Sequence, residues 1–203
     1  MHKGQIRSAA ETLAELPDGV FSQTEAARGG LSARSLYRMR DAGQLEVVGR
    51  GLYRRAHAAP ADLDLLEIGA RSRLATICLT SALARHGLID VIPARIDMAI
   101  PRGSHHPRVQ TAVRWHSFDS NTFELGRGDI PVEGTEVRIG LYKAERSIVD
   151  AFRLRGHLGY ELGVEALRSW LRQRGSHPAK LLRFAQQLPR AERPVRQALE
   201  YLS

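Results

Sequence analysis

The chain has 203 residues, 43% hydrophobic and 26% charged, the proportions of a folded, water-soluble protein of one large or two modest domains, long enough to bury a core without disulfide or metal staples. Its single cysteine, Cys78, excludes an internal disulfide framework, and the longest mostly apolar run, 74–84, broken by Thr76, Thr80 and Ser81, falls short of the about 20 residues that span a bilayer. Thirty Lys and Arg against 22 Asp and Glu give a formal charge of +8, which favours a polyanionic partner. Met1–Ser8 lacks the apolar centre of a signal peptide, so a soluble, cytoplasmic protein is expected.

The placement of charge says more than its total, because an Arg-rich composition with only Lys3, Lys143 and Lys180 as lysines is also a compositional habit. Two stretches are basic. Residues 34–55 carry Arg34, Arg38, Arg40, Arg50, Arg54 and Arg55 against Asp41 and Glu46. Residues 168–196 carry Arg168, Arg172, Arg174, Lys180, Arg183, Arg190, Arg193 and Arg196 against Glu192 alone.

In chain order, Ile6, Ala9, Ala10, Leu13 and Leu16 recur at helical spacing and predict a helix over 5–16, closed by the turn Pro17-Asp18-Gly19. Ser22-Gln23-Thr24-Glu25 is a capping box after the staple residue Phe21, so a short helix is expected over 23–28, ending at Gly29-Gly30. Ser32 is a second N-cap, for a helix over 33–42 stopped by Gly43. Two capped helices on a three-residue turn fit a helix-turn-helix. In the second, Leu36 and Met39 share the inward edge, Arg34 and Arg38 the outward one, with Tyr37 and Asp41 on the flanks, as a recognition helix requires. The β-prone runs 44–48 and 52–55 around Gly49-Arg50-Gly51 predict a hairpin that serves as a wing. Arg50 at its tip, joined by Arg54, is placed to meet phosphates or the minor groove.

After the linker 57–61, Asp62 caps a helix over 63–72; 75–79 reads as a short buried strand, and Thr80 or Ser81 opens a helix that Gly87 ends. Strands are expected over 96–100 and 113–118, and a hairpin pairs 130–132 with 137–139 across Glu133-Gly134-Thr135. Four apolar stripes follow, beginning at Ala144, Tyr160, Leu181 and Val195. The expected architecture is mixed α/β (α+β): a winged helix-turn-helix over 1–57, then a domain over 58–203 of a small sheet with packed helices, closed by a helical C-terminal bundle.

No catalytic or metal-binding signature stands out, and no cofactor is expected. His105 and His106 are adjacent and would point to opposite faces of a strand; Cys78 sits in an apolar run and reads as buried and inert. Arg146 and Asp150 are one helical turn apart and can pair. Gly49-Arg50-Gly51 precedes no strand-to-helix crossover, so it is not a dinucleotide fingerprint. A nuclease would need clustered carboxylates near a lysine, and Asp129, Glu133 and Glu136 upstream of Lys143 lack that arrangement.

Gly19-Val20-Phe21-Ser22, the capped helix pair, and Gly43 through Val48-Gly49-Arg50-Gly51-Leu52-Tyr53 resemble the N-terminal domain of AbiEi-type antitoxins. The runs 77–83, His86-Gly87-Leu88, 99–103 and 144–150 are similar to that family's antitoxin domain, in the same order. One departure is Lys143-Ala144, where the family often has proline. The resemblance implies an antitoxin of a two-gene (type IV) toxin–antitoxin system, which represses its own operon at inverted repeats and counters a nucleotidyltransferase toxin, with or without a stable complex. The expected DNA contacts are Ser32, Arg34, Ser35, Tyr37, Arg38, Arg50 and Arg54. Arg168, Arg172, Arg174, Lys180 and Arg183 are expected to serve toxin antagonism or additional phosphate contacts. The protein is expected not to be an enzyme; a nuclease targeted by the winged helix, or a winged helix that binds protein, are the alternatives.

Overall fold

In the computed structural model, residues 19–202 are described; the helix expected over 5–16 lies outside them. They form a mixed α/β structure with two sheets, and the chain divides into two compact units. The first takes in residues through Arg73 together with Pro107–Thr111 and Pro131–Arg138; the second comprises Leu74–His106, Ala112–Ile130 and the chain from Ile139 onward.

The first unit holds β1 (Phe21–Ser22), α1 (Gln23–Arg28), α2 (Ala33–Asp41), β2 (Leu45–Gly49), β3 (Leu52–Arg55) and α3 (Leu63–Arg71). The predicted capping box is formed: Ser22 Oγ accepts from Glu25 N at 3.1 Å, and Glu25 Oε2 accepts from Ser22 N at 2.7 Å. Ser32 Oγ accepts from Ser35 N at 3.1 Å and starts α2. β3 is the centre of a three-stranded antiparallel sheet ordered β1-β3-β2, with a bulge between Val47 and Gly49. Phe21, Ala26, Leu31, Leu36, Met39, Leu45 and Tyr53 close one core. Glu67, on the inward side of α3, is buried. Its carboxylate accepts from the backbone N–H groups of Gln110 and Thr111 and from Thr111 Oγ1 at 2.9–3.1 Å, tying segment 107–111 to this unit. Gly49 makes room for that carboxylate, since a Cβ there would stand 2.3 Å from Glu67 Oε1.

The second unit is built on β4 (Thr76–Ile77), α4 (Leu79–Arg85), β5 (Ile96–Pro101), β6 (Val113–Phe118), β7 (Arg127–Pro131) and β8 (Arg138–Tyr142), followed by α5 (Ala144–Arg153), α6 (Arg155–Leu158), α7 (Tyr160–Leu171), α8 (Pro178–Ala185) and α9 (Glu192–Leu202). Its five-stranded sheet runs β6-β5-β4-β8-β7, with β5/β6 and β4/β8 parallel and β4/β5 antiparallel. The strand expected over 75–79 is only two residues long, and α4 begins at Leu79 rather than Thr80 or Ser81. The cause is local: Leu79 adopts φ +46° and turns the chain out of the sheet. α5 is the central helix, buried from Arg146 to Phe152. Against it pack α4, α7, α8 and α9, with Leu83, Ile148, Phe152, Leu167, Trp170, Leu181 and Val195 in one core.

That core contains an ion pair. Arg146 Nε donates to Asp150 Oδ2 at 2.7 Å, both side chains being at most 1% exposed. Arg146 Nη1 donates to the carbonyls of Thr122 and Leu125, Arg153 reaches Asp150 at 2.8 Å, and the Arg146 guanidinium lies 4.4 Å from the Tyr142 ring centroid. Burial, opposed by Arg146, pushes the Tyr142 phenol up. Cys78 is fully buried, and burial reinforced by Asp97 and Asp150 holds its thiol well above the ordinary range. Among the described residues, no helix is long and apolar enough to cross a membrane.

Candidate nucleic-acid interface

α2 presents two chemically opposite sides. Leu36 and Met39 are buried in the first unit's core, and their spacing on a 3.6-residue helix forces Arg34 and Arg38 outward. Both arginines are exposed. Ser32 is exposed and Ser35 half-buried; their hydroxyls lie 3.0 Å apart while Ser32 caps the helix. The cap occupies Ser32 locally, so its first role is to start the helix that carries the arginines.

Tyr37 is 43% exposed, and the Arg40 guanidinium lies over its ring at 5.1 Å. Arg40 also pairs with Asp41 at 2.7 Å, which raises its already high pKa further. Beyond Tyr37 and Arg40, a groove runs to the hairpin and is lined by Val47, Arg50, Tyr53, Arg71 and Arg108 as well. Arg50 stands exposed between β2 and β3, and its carbonyl accepts from Arg71 Nη2. The groove therefore joins guanidinium groups from the recognition helix, the wing tip, α3 and segment 107–111. Guanidinium forks match phosphate oxygens in both charge and shape.

Arg54 corrects the expectation that it joins Arg50 on the DNA backbone. It is 7% exposed; its Nε donates to Glu46 at 2.6 Å and its Nη1 to the Ala59 carbonyl at 2.9 Å. On a two-residue alternation Arg54 falls on the face opposite the core residue Tyr53, directly across from Glu46 in the register of β2 against β3. Sequence reasoning in turn missed Arg40, Arg71 and Arg108 as groove residues. Helical spacing beside Tyr37 was signal enough for Arg40. Arg108 comes from a segment about fifty residues beyond the hairpin, and no local pattern announces it.

The second set of basic residues lies on the helices of the other unit. Arg168 is on α7, Arg172 caps it, Arg174 follows in the turn, and Lys180 and Arg183 are on α8; all five are exposed. Arg168 lines a shallow groove with Tyr160, Glu161, Val164, Glu165 and Tyr201, so its surroundings are partly acidic. Among the described residues no group of three or more His, Cys, Asp or Glu is placed to hold a metal ion.

Residues 8–56 match the model of a family described as transcriptional regulator, AbiEi antitoxin. No curated protein matches the chain in sequence. Among solved structures, the chain is similar to that of the RV2827C protein from Mycobacterium tuberculosis. The two share 18% identity with a TM-score of 0.60, over 96% of this chain and 74% of that one; at that identity the likeness concerns the fold. The family match takes in the helix-turn-helix and the hairpin that follows it.

Proposed function

We propose that this protein, whose winged-helix segment is of the AbiEi antitoxin class, is an antitoxin that represses its own operon at inverted repeats in the promoter. It also counters a cognate nucleotidyltransferase toxin. The observation that carries the reading is the geometry of α2, with Arg34 and Arg38 outward, Leu36 and Met39 inward, and a basic wing beside them. In this reading residues through 57 contain the DNA reader. Arg34 and Arg38, flanked by Ser35 and Tyr37, meet base edges, where an arginine donates two hydrogen bonds to guanine O6 and N7. Arg40, Arg50, Arg71 and Arg108 hold phosphates. The protein works in the cytoplasm, where its duplex is.

A gel-shift titration on the promoter duplex tests this. Arg38→Ala is expected to weaken operator binding by about 1–3 kcal/mol and to relax preference at one base position. Equal affinity for the operator and a random duplex of the same length would remove the repressor reading. For the second activity, Arg168, Arg172, Arg174, Lys180 and Arg183 supply toxin antagonism or additional phosphate contacts. Arg172→Ala with Arg183→Ala is expected to abolish rescue of toxin-arrested growth while leaving operator binding intact. Loss of operator binding instead would assign these residues to DNA, and unchanged rescue and binding would assign them neither role.

A further inference from the structure

α2 carries a single acid, Asp41, and neither the helix nor the basic surface around it favours a carboxylate there. Asp41 is the last residue of α2, where the unpaired carbonyls of the helix end repel negative charge. It lies seven residues after Arg34 and three after Arg38, on their side of the helix. A carboxylate on that side repels the phosphates that the neighbouring guanidinium groups attract.

Folding makes little use of it. Arg40 Nε and Nη2 both reach Asp41 Oδ1, at 2.9 and 2.7 Å, and among the described residues no donor meets Oδ2. The Asp41 side chain is 65% exposed, and an ion pair so open to water adds little stability. What the pair does is orient the carboxylate, because Arg40 is itself seated over the Tyr37 ring. A recognition helix meets base edges from positions i, i+3, i+4 and i+7, as homeodomains do. In α2 that set is Arg34, Tyr37, Arg38 and Asp41, all four exposed. At 1.5 Å per residue the stripe from Arg34 to Asp41 is about 10 Å long, roughly three base-pair steps.

We propose that Asp41 is a specificity residue whose Oδ2 accepts from the N4 amino group of a cytosine in the major groove. The inference rests on the promoter reading and gives that site its one anionic acceptor. Guanine and thymine offer a carboxylate only acceptors in the major groove, while cytosine and adenine each present an amino group. Adenine sets its N7 acceptor beside that group, which repels a carboxylate; cytosine does not. With Arg34 and Arg38 on guanines, the stripe reads a G·C-rich half-site. Where no amino group is in reach, the charge stands unpaired near phosphates and weakens binding to the wrong sequence.

Duplexes selected from a random pool by the full-length protein, and by its Asp41→Ala and Asp41→Asn variants, give the base preference at each position. The parent is expected to favour cytosine at one position by about tenfold or more in gel-shift titration. Asp41→Ala is expected to lose that preference alone, to keep the guanines, and to bind random duplex several-fold more tightly. Asp41→Asn is expected to move the preference to adenine, whose N6 and N7 an amide meets together. Both variants are expected to melt no lower than the parent, since the charge lost is exposed and stands at a helix C-terminus. A parent without sequence preference would remove the promoter reading, and this inference with it. A parent that selects a sequence, and an Asp41→Ala variant with the same preference at every position, overturns the role of Asp41 and leaves the promoter reading intact. So does a loss of preference at all positions together, which would make Asp41 a support of the helix.

Discussion

Arg50 and Arg54 are separated by one turn of a hairpin, and the same guanidinium group has opposite consequences at the two positions. At Arg50 it projects into solvent at the wing tip; at Arg54 it is enclosed with Glu46 and the Ala59 carbonyl. Removing a charge from an exposed tip leaves folding nearly untouched, whereas removing Arg54 leaves a partly buried carboxylate and a carbonyl without their donor. Arg50→Ala is therefore expected to weaken duplex binding with an unchanged urea midpoint. Arg54→Ala is expected to lower stability by about 1–2 kcal/mol, a figure below that for a fully buried pair because Glu46 keeps access to water. Arg146 is the extreme case. Truncating it strands Asp150 in the core, with two carbonyls left unbonded, and Arg146→Ala is expected to cost about 3–5 kcal/mol in equilibrium unfolding. Arg146→Lys is not a conservative replacement, since an ammonium cannot reach Asp150 and both carbonyls in one plane.

Among the elements, α1 is too short to be stable by propagation alone, so its ends decide whether it forms. Its cap has a pH signature. The Glu25 carboxyl is held below the ordinary carboxylate range, first by the hydrogen bond from the Ser22 backbone and then by that from its side chain. A carboxylate with a lowered folded-state pKa stabilises the fold fully above its unfolded value, about 4.3, and loses that contribution as pH falls through the folded value. Urea midpoints measured between neutral and acid pH are expected to fall in this window. Glu25→Gln, which keeps the box without the charge, is expected to reduce that drop; an acid limb identical in the variant would disprove the assignment to Glu25. The strand β4 shows how strongly an element depends on its neighbours. It has two residues, yet pairs on both sides, with β5 and β8. Gly140 on β8 lets it do so, because a Cβ there would stand 2.4 Å from Thr76 Oγ1.

For the whole molecule, the proposed function makes the formal charge of +8 act through the groups proposed to meet phosphate. If Arg40, Arg50, Arg71 and Arg108 each neutralise one phosphate, counterion release predicts a slope of log affinity on log salt near −4 per bound protomer, and about a hundredfold loss between 50 and 200 mM salt. Arg71→Ala and Arg108→Ala are each expected to make that slope shallower by about one, uniformly across sequences. A slope unchanged by either variant would confine the phosphate contacts to the helix and wing. The first unit is assembled from three separate stretches of chain, so its basic groove is not a property of any one stretch.

Local rules, which act over a few residues, were enough to read the caps at Ser22, Ser32 and Asp62, the Gly49-Arg50-Gly51 turn, the inward edge of α2 and the apolar stripes of α5, α7, α8 and α9. The Arg146–Asp150 spacing was legible for the same reason, since one helical turn brings them together wherever the helix lies. What no window of the sequence contains is which polar groups end up inside. Glu67 is buried where segment 107–111 presents its N–H groups, Arg54 reads as a wing contact until Glu46 and Ala59 enclose it, and Arg108 reaches the groove of Arg50 from a distant segment. Burial of a charge is decided by partners distant in the chain that satisfy its hydrogen bonds, and only tertiary packing brings those partners within reach.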